Sequence, residues 1–414
     1  MRILLTTRGS SGHVLPLAPF GHACLRAGHE VLVAAQRQHG ANVERAGLPF
    51  APVDDPPPEE WMPLMGQFAQ LGIEQSNERM IGEFFARIDV RAALPRLRAI
   101  VEDYRPDVIV RESWEFGSTL VADLYGIPIV RVGLGLAAVE ELTVRLAAPA
   151  VDEQRIALGL PADPAGGRLR ETPYLTMVPE PLDDAAAVAP APALTHRFAA
   201  PAAKAVAPPP LGDWWPGNDD PLVYVSFGTV AGEAHLPYFP ALYRSAIDAL
   251  APLPARILVT IGDGRDPAEL GPPAANVHVE RWVAQDRVAP HAAAIVCHGG
   301  YGSTLVALRH GVPLVVLPLF SADQWANAAA VARTGAGIAL NPDHATRPVL
   351  GLPGDDVLAG LAPAVRRLLS DPSYAREARR IAAASSALAP VDAAVDVLAR
   401  VYATYTGVPT GARA

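Results

Sequence analysis

A glycine-rich turn between a buried strand and a helix constrains the fold of this chain most. The apolar run Ile295-Val296-Cys297 predicts a short buried strand, and His298-Gly299-Gly300-Tyr301-Gly302 follows it directly. Ser303 and Thr304 then begin a helix. Backbone N–H groups in such a turn point at an anion, and the positive end of the helix dipole supports its binding. The stretch therefore predicts an open α/β fold with a diphosphate site, where His298, Ser303 and Thr304 add side-chain donors.

Three further segments of the second half carry residues suited to the rest of a sugar nucleotide. Thr229 follows the first predicted strand of this half, and its hydroxyl can reach the same phosphates. Trp282 follows the short strand Val277 to Val279 and offers a flat face on which a nucleobase can stack. Asp323 and Gln324 open a helix, where an acid ordinarily only caps the helix end. The pair can also bind sugar hydroxyls, and both interpretations of Asp323 stay open.

The first half opens as a β-α-β unit with a histidine in its first turn. Ile3 to Thr6 is an apolar strand, a helix with apolar residues at helical spacing runs up to Gly28, and Val31 to Ala35 forms the next strand. His13 lies between the first strand and the body of the helix. Ligands of open parallel sheets meet the loops at the carboxyl ends of the strands, so the topology alone places His13 at a site.

A charged pair ends a later strand of the same half. Pro106 to Val110 is mostly apolar, and Arg111 and Glu112 after it mark the carboxyl end of the strand. Glu112 can then reach His13 across the end of the sheet. The alternative is a surface salt bridge between Glu112 and Arg111, which contributes little to stability.

Residues 54–90 differ in character from the α/β alternation around them. A run of aspartate and proline, Asp54 to Pro58, precedes three of the five methionines, with aromatic residues between them. One interpretation is one or two helices packed on the sheet. The other is a deformable apolar wall for a flat or hydrophobic substrate, because methionine adapts its shape to a partner. The candidate wall residues are Trp61, Met65 and Phe84, together with Trp114 after the Glu112 strand.

The length and a proline-rich stretch predict two domains. A chain of 414 residues is longer than most single cores. We expect a first α/β domain over residues 1–205, an alanine- and proline-rich linker over 206–217 and a second α/β domain over 218–388. Ligands prefer the cleft between two such domains.

Composition and charge disfavour several classes of partner. The net charge of −9 argues against nucleic acid or an anionic membrane as the main partner. No stretch reaches the ~20 apolar residues that cross a bilayer, and Met1 to Leu5 leads into a strand without a signal-peptide core. We therefore expect a cytoplasmic enzyme without membrane insertion. Only two cysteines occur, Cys24 and Cys297, and we expect both to be buried, with no disulfide and no zinc site.

Several motifs together resemble those of the nucleotide-sugar-dependent glycosyltransferases of family 1, especially their actinobacterial natural-product branch. The motifs are Gly12-His13-Val14-Leu15-Pro16, Val225-Ser226-Phe227-Gly228-Thr229, Trp282-Val283-Ala284-Gln285, His298 to Thr304 with Gly311-Val312-Pro313, and Pro318 to Gln324 with Asn327. The likeness covers essentially the whole chain. It implies the GT-B fold, in which two Rossmann-like domains face each other across a cleft. The first domain would bind the acceptor and the second the donor, and residues 389–414, with a helix near Val391 to Tyr405, would return to the first domain.

The resemblance also implies roles for the residues already singled out. His13 matches the general base of the family. Glu112 falls where the family usually places an aspartate that orients this histidine, and the longer acid is a departure from the pattern. Trp282 and Val283 match positions that bind the nucleotide. The remaining donor contacts are to the diphosphate, from Thr229, His298, Gly300, Gly302 and Ser303, and to the sugar, from Asp323 and Gln324.

The reaction implied by the resemblance is an inverting glycosyl transfer. His13 accepts the proton of an acceptor hydroxyl, whose oxygen attacks the anomeric carbon opposite the diphosphate. No Asp-x-Asp pair occurs in the sequence, which is consistent with metal independence and with no cofactor besides the nucleotide-sugar co-substrate. The expected donor is a UDP- or TDP-linked hexose or deoxyhexose. The expected acceptor atom is a hydroxyl oxygen, or a carbon or nitrogen, of a hydrophobic or aromatic secondary metabolite, and the expected enzyme is a monomer or homodimer.

Other functions fit the same residues less well. A nucleotide-sugar 2-epimerase shares the fold. A transferase that builds peptidoglycan lipid precursors needs an apolar and basic membrane-docking patch, which the sequence does not show. A non-catalytic homologue that assists a partner transferase is expected to lose His13 and the constellation from His298 to Gln324, which is intact here. A nicotinamide oxidoreductase is disfavoured because neither half carries a complete dinucleotide fingerprint.

Overall fold

Two parallel β-sheets with helices packed on their faces make up the protein. The computed structural model describes residues 1–183, 194–201, 211–232, 236–340 and 348–407. Its first sheet has eight strands and its second has six, and neighbouring strands in both sheets pair in parallel. The predicted α/β class with two Rossmann-like sheets is confirmed.

The first half of the chain supplies seven strands of the first sheet. They are β1 (Arg2–Thr6), β2 (Glu30–Gln36), β3 (Phe50–Val53), β4 (Val108–Glu112), β5 (Ile129–Val132), β6 (Tyr174–Thr176) and β7 (Thr195–Ala199). Their order across the sheet is β7-β6-β5-β4-β1-β2-β3. Because β1 pairs with β4, Thr6 lies opposite Arg111 and the two strands end side by side. The segments that carry His13 and Glu112 are therefore neighbours.

Helices cover both faces of this sheet. They are α1 (Ser11–Arg26), α2 (Gly40–Arg45), α3 (Pro58–Met65), α4 (Ile73–Glu78), α5 (Val90–Tyr104), α6 (Gly117–Tyr125), α7 (Ala137–Ala157) and α8 (Gly167–Arg170). A π-helical segment, Arg79–Asp89, joins α4 to α5 without a break. Residues 54–90 are thus largely helical, as the first of the two interpretations predicted, although this does not exclude the second.

The second half of the chain forms the other sheet. Its strands are β8 (Leu222–Ser226), β9 (Arg256–Thr260), β10 (Val277–Glu280), β11 (Ala292–Cys297), β12 (Leu314–Val316) and β13 (Gly337–Ala339), in the order β10-β9-β8-β11-β12-β13. Its helices are α9 (Leu211–Trp214), α10 (Gly228–Ala231), α11 (Ala241–Leu250), α12 (Gln285–Val288), α13 (Tyr301–Arg309), α14 (Ala322–Arg333), α15 (Asp355–Ala359), α16 (Leu361–Ser370) and α17 (Pro372–Ser386). The central pair β8 and β11 ends at the loops that carry Thr229 and His298.

The end of the chain packs on the first sheet. A two-residue strand, β14 (Ala389–Pro390), pairs with β7, and the final helix, α18 (Ala394–Thr406), follows. Val397 and Leu398 of α18 are buried in one apolar cluster with residues of α1 and β1. This cluster ties the last helix to the first half of the chain.

The predicted linker lies only partly among the described residues. Positions 206–210 fall outside them, and residues 211–214 form the short helix α9. Trp214 stacks on His278 of β10 with the ring centroids 4.3 Å apart, so the end of the linker is anchored on the second sheet. Cys24 and Cys297 are buried and unpaired, as predicted. Within the described ranges, no helix combines the length and the hydropathy that a membrane span requires.

Candidate active site

His13 and Glu112 form a hydrogen-bonded pair where β1 and β4 end, with Glu112 buried and His13 partly exposed. His13 lies in the first turn of α1, and its Nδ1 is 2.8 Å from Oε1 of Glu112. The Glu112 side chain is fully buried, and it also accepts hydrogen bonds from the backbone N–H groups of Arg8 (3.2 Å) and Trp114 (2.6 Å). The longer acid therefore spans the gap to the histidine.

The electrostatics of the pair keep Glu112 ionised. Burial by itself would raise the pKa of Glu112, but the charge of His13 and the hydrogen bonds from His13, Trp114 and Arg8 outweigh it, so the pKa of this carboxyl lies below its usual value. An ionised carboxylate only accepts hydrogen bonds, so in the neutral imidazole Nδ1 of His13 carries the proton and Nε2 has the lone pair. Nε2 is thus prepared to accept a proton from a bound hydroxyl.

The alternative of a surface salt bridge between Glu112 and Arg111 is wrong. Arg111 is completely buried, and its guanidinium donates to the backbone carbonyls of Glu112, Ser113 and Glu115. A charged side chain without exposed surface needs internal acceptors, and the end of β4 and the loop after it supply three of them to Nη1. Arg111 therefore holds the shape of this loop while Glu112 faces His13.

Four aromatic rings, three of them from predicted acceptor residues, form a row that ends at His13. Ring centroids lie 6.1 Å apart for Trp61 and Phe84, 5.5 Å for Phe84 and Phe85, 5.4 Å for Phe85 and Trp114, and 5.8 Å for Trp114 and His13. The row links α3 and the π-helical segment to the loop after β4. It brings three of the four predicted acceptor residues together beside the histidine.

The sequence did not predict the cation that lies against this aromatic row. The Arg8 guanidinium lies 3.6 Å from the centroid of Phe85 and forms a 2.5 Å ion pair with Asp89. Burial raises the pKa of Asp89 above its usual value, although Arg8 opposes the shift. Arg8 follows β1 directly, so its position after a strand end was an available signal. Asp89 lies within a helical run and offered none.

The fourth predicted acceptor residue, Met65, belongs to an apolar cluster shared by both halves. Met65, Trp61 and Phe84 pack against a core that contains Trp325 of α14 and Val349, and the remaining buried members are Leu64, Phe68, Ile73 and Ile88. The outer side of the predicted wall is therefore covered by the second half of the chain.

His298 fits into a space that two glycines leave open. A Cβ on Gly228 would lie 2.6 Å from Cε1 of His298, and a Cβ on Gly300 would lie 2.4 Å from Nε2, so neither position accommodates a side chain without a shift. Burial lowers the pKa of His298 to about 4, and a hydrogen bond to the backbone of Ser226 opposes this. The imidazole is therefore neutral at pH 7 and offers a single N–H. Its Nδ1 has no hydrogen-bond partner among the described residues.

The other predicted diphosphate residues differ in accessibility. Thr229 is exposed on α10, and Gly300 and Gly302 border the start of α13. Ser303 is nearly buried and its hydroxyl accepts a hydrogen bond from Nε2 of Gln285 (3.2 Å). The prediction that Thr304 adds a donor is wrong, because its side chain is buried at the start of α13 and contacts Cys297.

The segment predicted to bind the base follows β10. Trp282 is 59% exposed, so one of the largest side chains has most of its surface available to a ligand. Val283, next in the chain, is partly buried against the second half's core. Gln285 begins α12 and donates to both Ser226 (3.3 Å) and Ser303 (3.2 Å), which joins this segment to the diphosphate turn.

The α14 turn, defined as residues 321–324, contains the two predicted sugar residues. Asp323 is partly buried, and burial raises its pKa. The Ser321 hydroxyl, the backbone N–H groups of Asp323 and Gln324, and the charge of His13 oppose this shift, so the carboxylate also accepts from the first turn of its own helix. His13 of the first half therefore lies within electrostatic reach of Asp323 in the second. The N-cap of α14 is Ser321, so Asp323 occupies the first helical turn and not the cap position.

Gln324 is oriented away from the solvent. It is 2% exposed, and its Oε1 accepts hydrogen bonds from the backbone N–H groups of Leu319 (2.8 Å) and Phe320 (3.1 Å). Helix α14 also packs on the diphosphate turn: Nδ2 of Asn327 donates to the carbonyl of Gly299 (2.7 Å). A Cβ on Gly299 would lie 2.8 Å from the carbonyl oxygen of Gln324, and this glycine has φ 86°. Only glycine satisfies both demands.

The sequence comparisons identify the family. A model described as erythromycin biosynthesis protein CIII-like, N-terminal domain, matches residues 22–159, and its C-terminal-domain counterpart matches residues 244–399. L-demethylnoviosyl transferase of Streptomyces niveus is 32% identical over 386 residues, which cover 92% of this chain and 93% of the relative. The chain belongs to the EryCIII-like glycosyltransferase family.

Further relatives agree with this assignment. The 4′-demethylrebeccamycin synthase of Lentzea aerocolonigenes is 29% identical over 439 residues, covering 96% of this chain and 98% of the relative. The glycosyltransferase SsfS6 of Streptomyces sp. SF2575, solved in complex with thymidine diphosphate, has a TM-score of 0.74 at 26% identity and covers 97% of this chain and 99% of that one. The spinosyn rhamnosyltransferase SpnG has a TM-score of 0.77 at 21% identity, covering 97% and 100%.

These comparisons confirm the GT-B fold and the enzyme class. The EryCIII-like chain is a glycosyltransferase of natural-product type that uses a nucleotide-sugar donor. They do not favour the 2-epimerase or the non-catalytic partner of another transferase.

Proposed function

We propose that the enzyme transfers a hexose or deoxyhexose, with inversion and without a metal ion, from a TDP-sugar to a hydroxyl of an aromatic or otherwise hydrophobic small molecule. The observation that carries the proposal is the hydrogen-bonded pair of His13 and Glu112, with Asp323 of the other half in electrostatic reach of His13. A base prepared to take a proton thus lies opposite the turn that we assign to the donor sugar.

The chemical step uses these groups in sequence. Nε2 of His13 takes the proton from the acceptor hydroxyl while the oxygen forms a bond to the anomeric carbon. The bond from that carbon to the diphosphate oxygen breaks on the opposite side, and its electron pair leaves with the diphosphate. Glu112 stabilises the imidazolium that forms, as a buried carboxylate does in other histidine-based catalysts. One displacement of this kind inverts the anomeric configuration.

The diphosphate gains negative charge as it leaves, and the turn before α13 is built to stabilise it. The backbone N–H groups of Gly300 to Ser303 and the positive end of α13 offer hydrogen-bond donors without moving, and the neutral ring of His298 lies beside them. Thr229 adds an exposed hydroxyl from α10. This donor set supports a metal-independent step.

The choice of donor and acceptor class rests on two further observations. The SsfS6 structure, which shares 26% identity with this chain, was solved with thymidine diphosphate, and this supports TDP over UDP. The aromatic row from Trp61 to Trp114 ends at His13, and a row of aromatic rings favours a flat or aromatic acceptor beside the base.

Replacement of His13 by alanine tests the proposal. We expect transfer to a phenolic or alcoholic acceptor to fall by about 10²- to 10⁴-fold, the contribution typical of a general base, while calorimetry shows unchanged TDP binding. The matched control is His291→Ala, because this exposed histidine precedes β11, at the opposite end of the strand from His298. Full turnover by His13→Ala would refute the base assignment.

Product stereochemistry and metal dependence complete the test. The anomeric proton coupling of the product should show the configuration opposite to that of the donor. Activity should persist in excess EDTA. Retention of configuration would exclude the single displacement, and loss of activity in EDTA that added Mg²⁺ restores would exclude metal independence. Formation of an epimeric sugar nucleotide in the absence of an acceptor would support the 2-epimerase instead.

A further inference from the structure

An asparagine of the first half forms a hydrogen bond with the first residue of α14. Oδ1 of Asn77, in the last turn of α4, accepts from the backbone N–H of Ala322 (3.3 Å). Its Nδ2 donates to the carbonyl of Ile73 one turn earlier (2.7 Å). Asn77 is 8% exposed, so both ends of its amide are fixed inside the protein.

This contact supplies a hydrogen-bond acceptor for a backbone N–H group at the start of α14. The first backbone N–H groups of a helix have no partner within it, and a side chain at the N-cap usually accepts from them. Ser321 stands at the N-cap of α14 but makes no capping hydrogen bond; its hydroxyl donates to Asp323. The N–H of Ala322 is paired with Asn77, 245 residues away in the sequence.

Further contacts near Asn77 join the two halves of the chain. The backbone N–H of Val349 donates to the carbonyl of Leu71 (2.8 Å), and Gly72 and Pro348 form an isolated antiparallel bridge. Tyr238 donates to the carbonyl of Val349 (2.7 Å). Beside these bonds lies the apolar cluster that joins Ile73 and Phe68 to Trp325 of α14. Residues 73–89 also carry Phe84 of the aromatic row.

We propose that Asn77 is a positioning residue for the donor sugar, which sets the α14 turn from the acceptor side of the cleft. The inference rests on the proposed function, because it takes Asp323 as a sugar contact. The diphosphate turn has hydrogen bonds that do not involve Asn77: Asn327, one turn further along α14, donates to Gly299, and Gln285 donates to Ser303. Loss of the Asn77 amide therefore loosens the turn that meets the sugar and leaves the nucleotide contacts in place.

The test compares the dissociation constants of two ligands. In Asn77→Ala we expect the Kd of TDP-α-D-glucose to rise by about fivefold to tenfold, the change that one buried hydrogen bond carries, whereas the Kd of TDP stays within twofold of the wild type. Both are measured by isothermal titration calorimetry on the full-length chain. Wild-type affinity for TDP also shows that the variant is folded.

Ser76→Ala is the matched control. Ser76 is buried in the same helix and also bonds to the carbonyl of Ile73, through its hydroxyl (2.8 Å). It should leave the affinities for both ligands unchanged. If Asn77→Ala weakens TDP and TDP-glucose equally, or weakens neither, the positioning role is refuted. If the wild type binds neither ligand, the proposed donor class itself falls, and the two failures are thereby distinguished.

Discussion

Replacement of Glu112 by glutamine tests the central pair most directly. The carboxylate accepts from three N–H donors: its Oε1 from His13 and Arg8, and its Oε2 from Trp114. Glutamine keeps the size of the side chain but has one oxygen, so in either orientation its NH₂ group faces an N–H donor. The negative charge beside the imidazole is lost at the same time.

The magnitude follows from the separation of the charges. Nδ1 and Oε1 are 2.8 Å apart, and charge centres about 4 Å apart attract by ~4 kcal/mol at an effective dielectric constant of about 20. The proton is only partly transferred in the transition state, so roughly half of this energy, ~2 kcal/mol, is lost from the barrier, or about 30-fold in rate. The misplaced NH₂ group also disturbs the tautomer of His13. We therefore expect kcat at pH 7 to fall by about 30- to 1,000-fold.

Initial rates, measured by chromatography of the glycosylated product, provide the assay. The matched control is Glu115→Gln, because Glu115 is also buried after β4 but accepts from Thr6 and Ser118 and not from His13. The control should keep kcat within a fewfold of the wild type, and both variants should bind TDP normally. A Glu112→Gln enzyme of near wild-type rate, or an equal loss in Glu115→Gln, would refute the argument.

Four further predictions concern the donor site, the acceptor site and stability. His298→Ala should weaken TDP binding about tenfold by calorimetry, and equally at pH 6 and pH 8, because burial lowers the pKa of His298 to about 4 and the ring is neutral throughout. Trp282→Ala should raise the Kd of TDP about 5- to 50-fold through lost stacking, with an unchanged Tm because the indole is 59% exposed. Phe84→Ala should raise the KM of an aromatic acceptor severalfold while donor affinity in calorimetry stays constant. Because the pKa of Glu112 is lowered in the folded state, its ionised carboxylate stabilises the fold at pH values above the usual carboxyl pKa of 4.5, and this stabilisation is lost as the pH falls through the pKa of the folded state. Urea unfolding should therefore show Glu112→Gln less stable than the wild type at pH 7, with the difference in unfolding free energy closing towards pH 3.

Local patterns in the sequence predicted the elements and the places where they end. Apolar runs predicted β1, β4 and β11, and the rule that ligands meet the carboxyl ends of parallel strands placed His13, Glu112 and His298 at such ends. These predictions depend on residues close in the chain, so the sequence carries them. The contact between His13 and Glu112 needed one more fact, the pairing of β1 with β4, which sequence spacing leaves open.

The motifs did not predict the direction in which individual side chains point. Thr304 and Gln324 belong to motifs of a donor site, yet both are buried, and Gln324 organises the loop of Leu319 and Phe320. A motif fixes which residue follows a strand, whereas the helix phase and the packing behind it decide which face of the helix the residue occupies. Those contacts come from segments that no local pattern connects.

The sequence by itself determined two α/β halves, the glycine-rich turn between β11 and α13, and the strand ends that carry His13 and Glu112. Only the tertiary structure decided how the halves meet. Asn77 and Ala322 are 245 residues apart, and Trp61 and Phe84 of the aromatic row pack against Trp325 and Val349 of the other half. Such pairings are selected by burial and by hydrogen-bond partners that exist only once both sheets have formed. The elements that carry the proposed donor site could therefore be predicted from the sequence, and the hydrogen bond that reaches α14 from the first half could not.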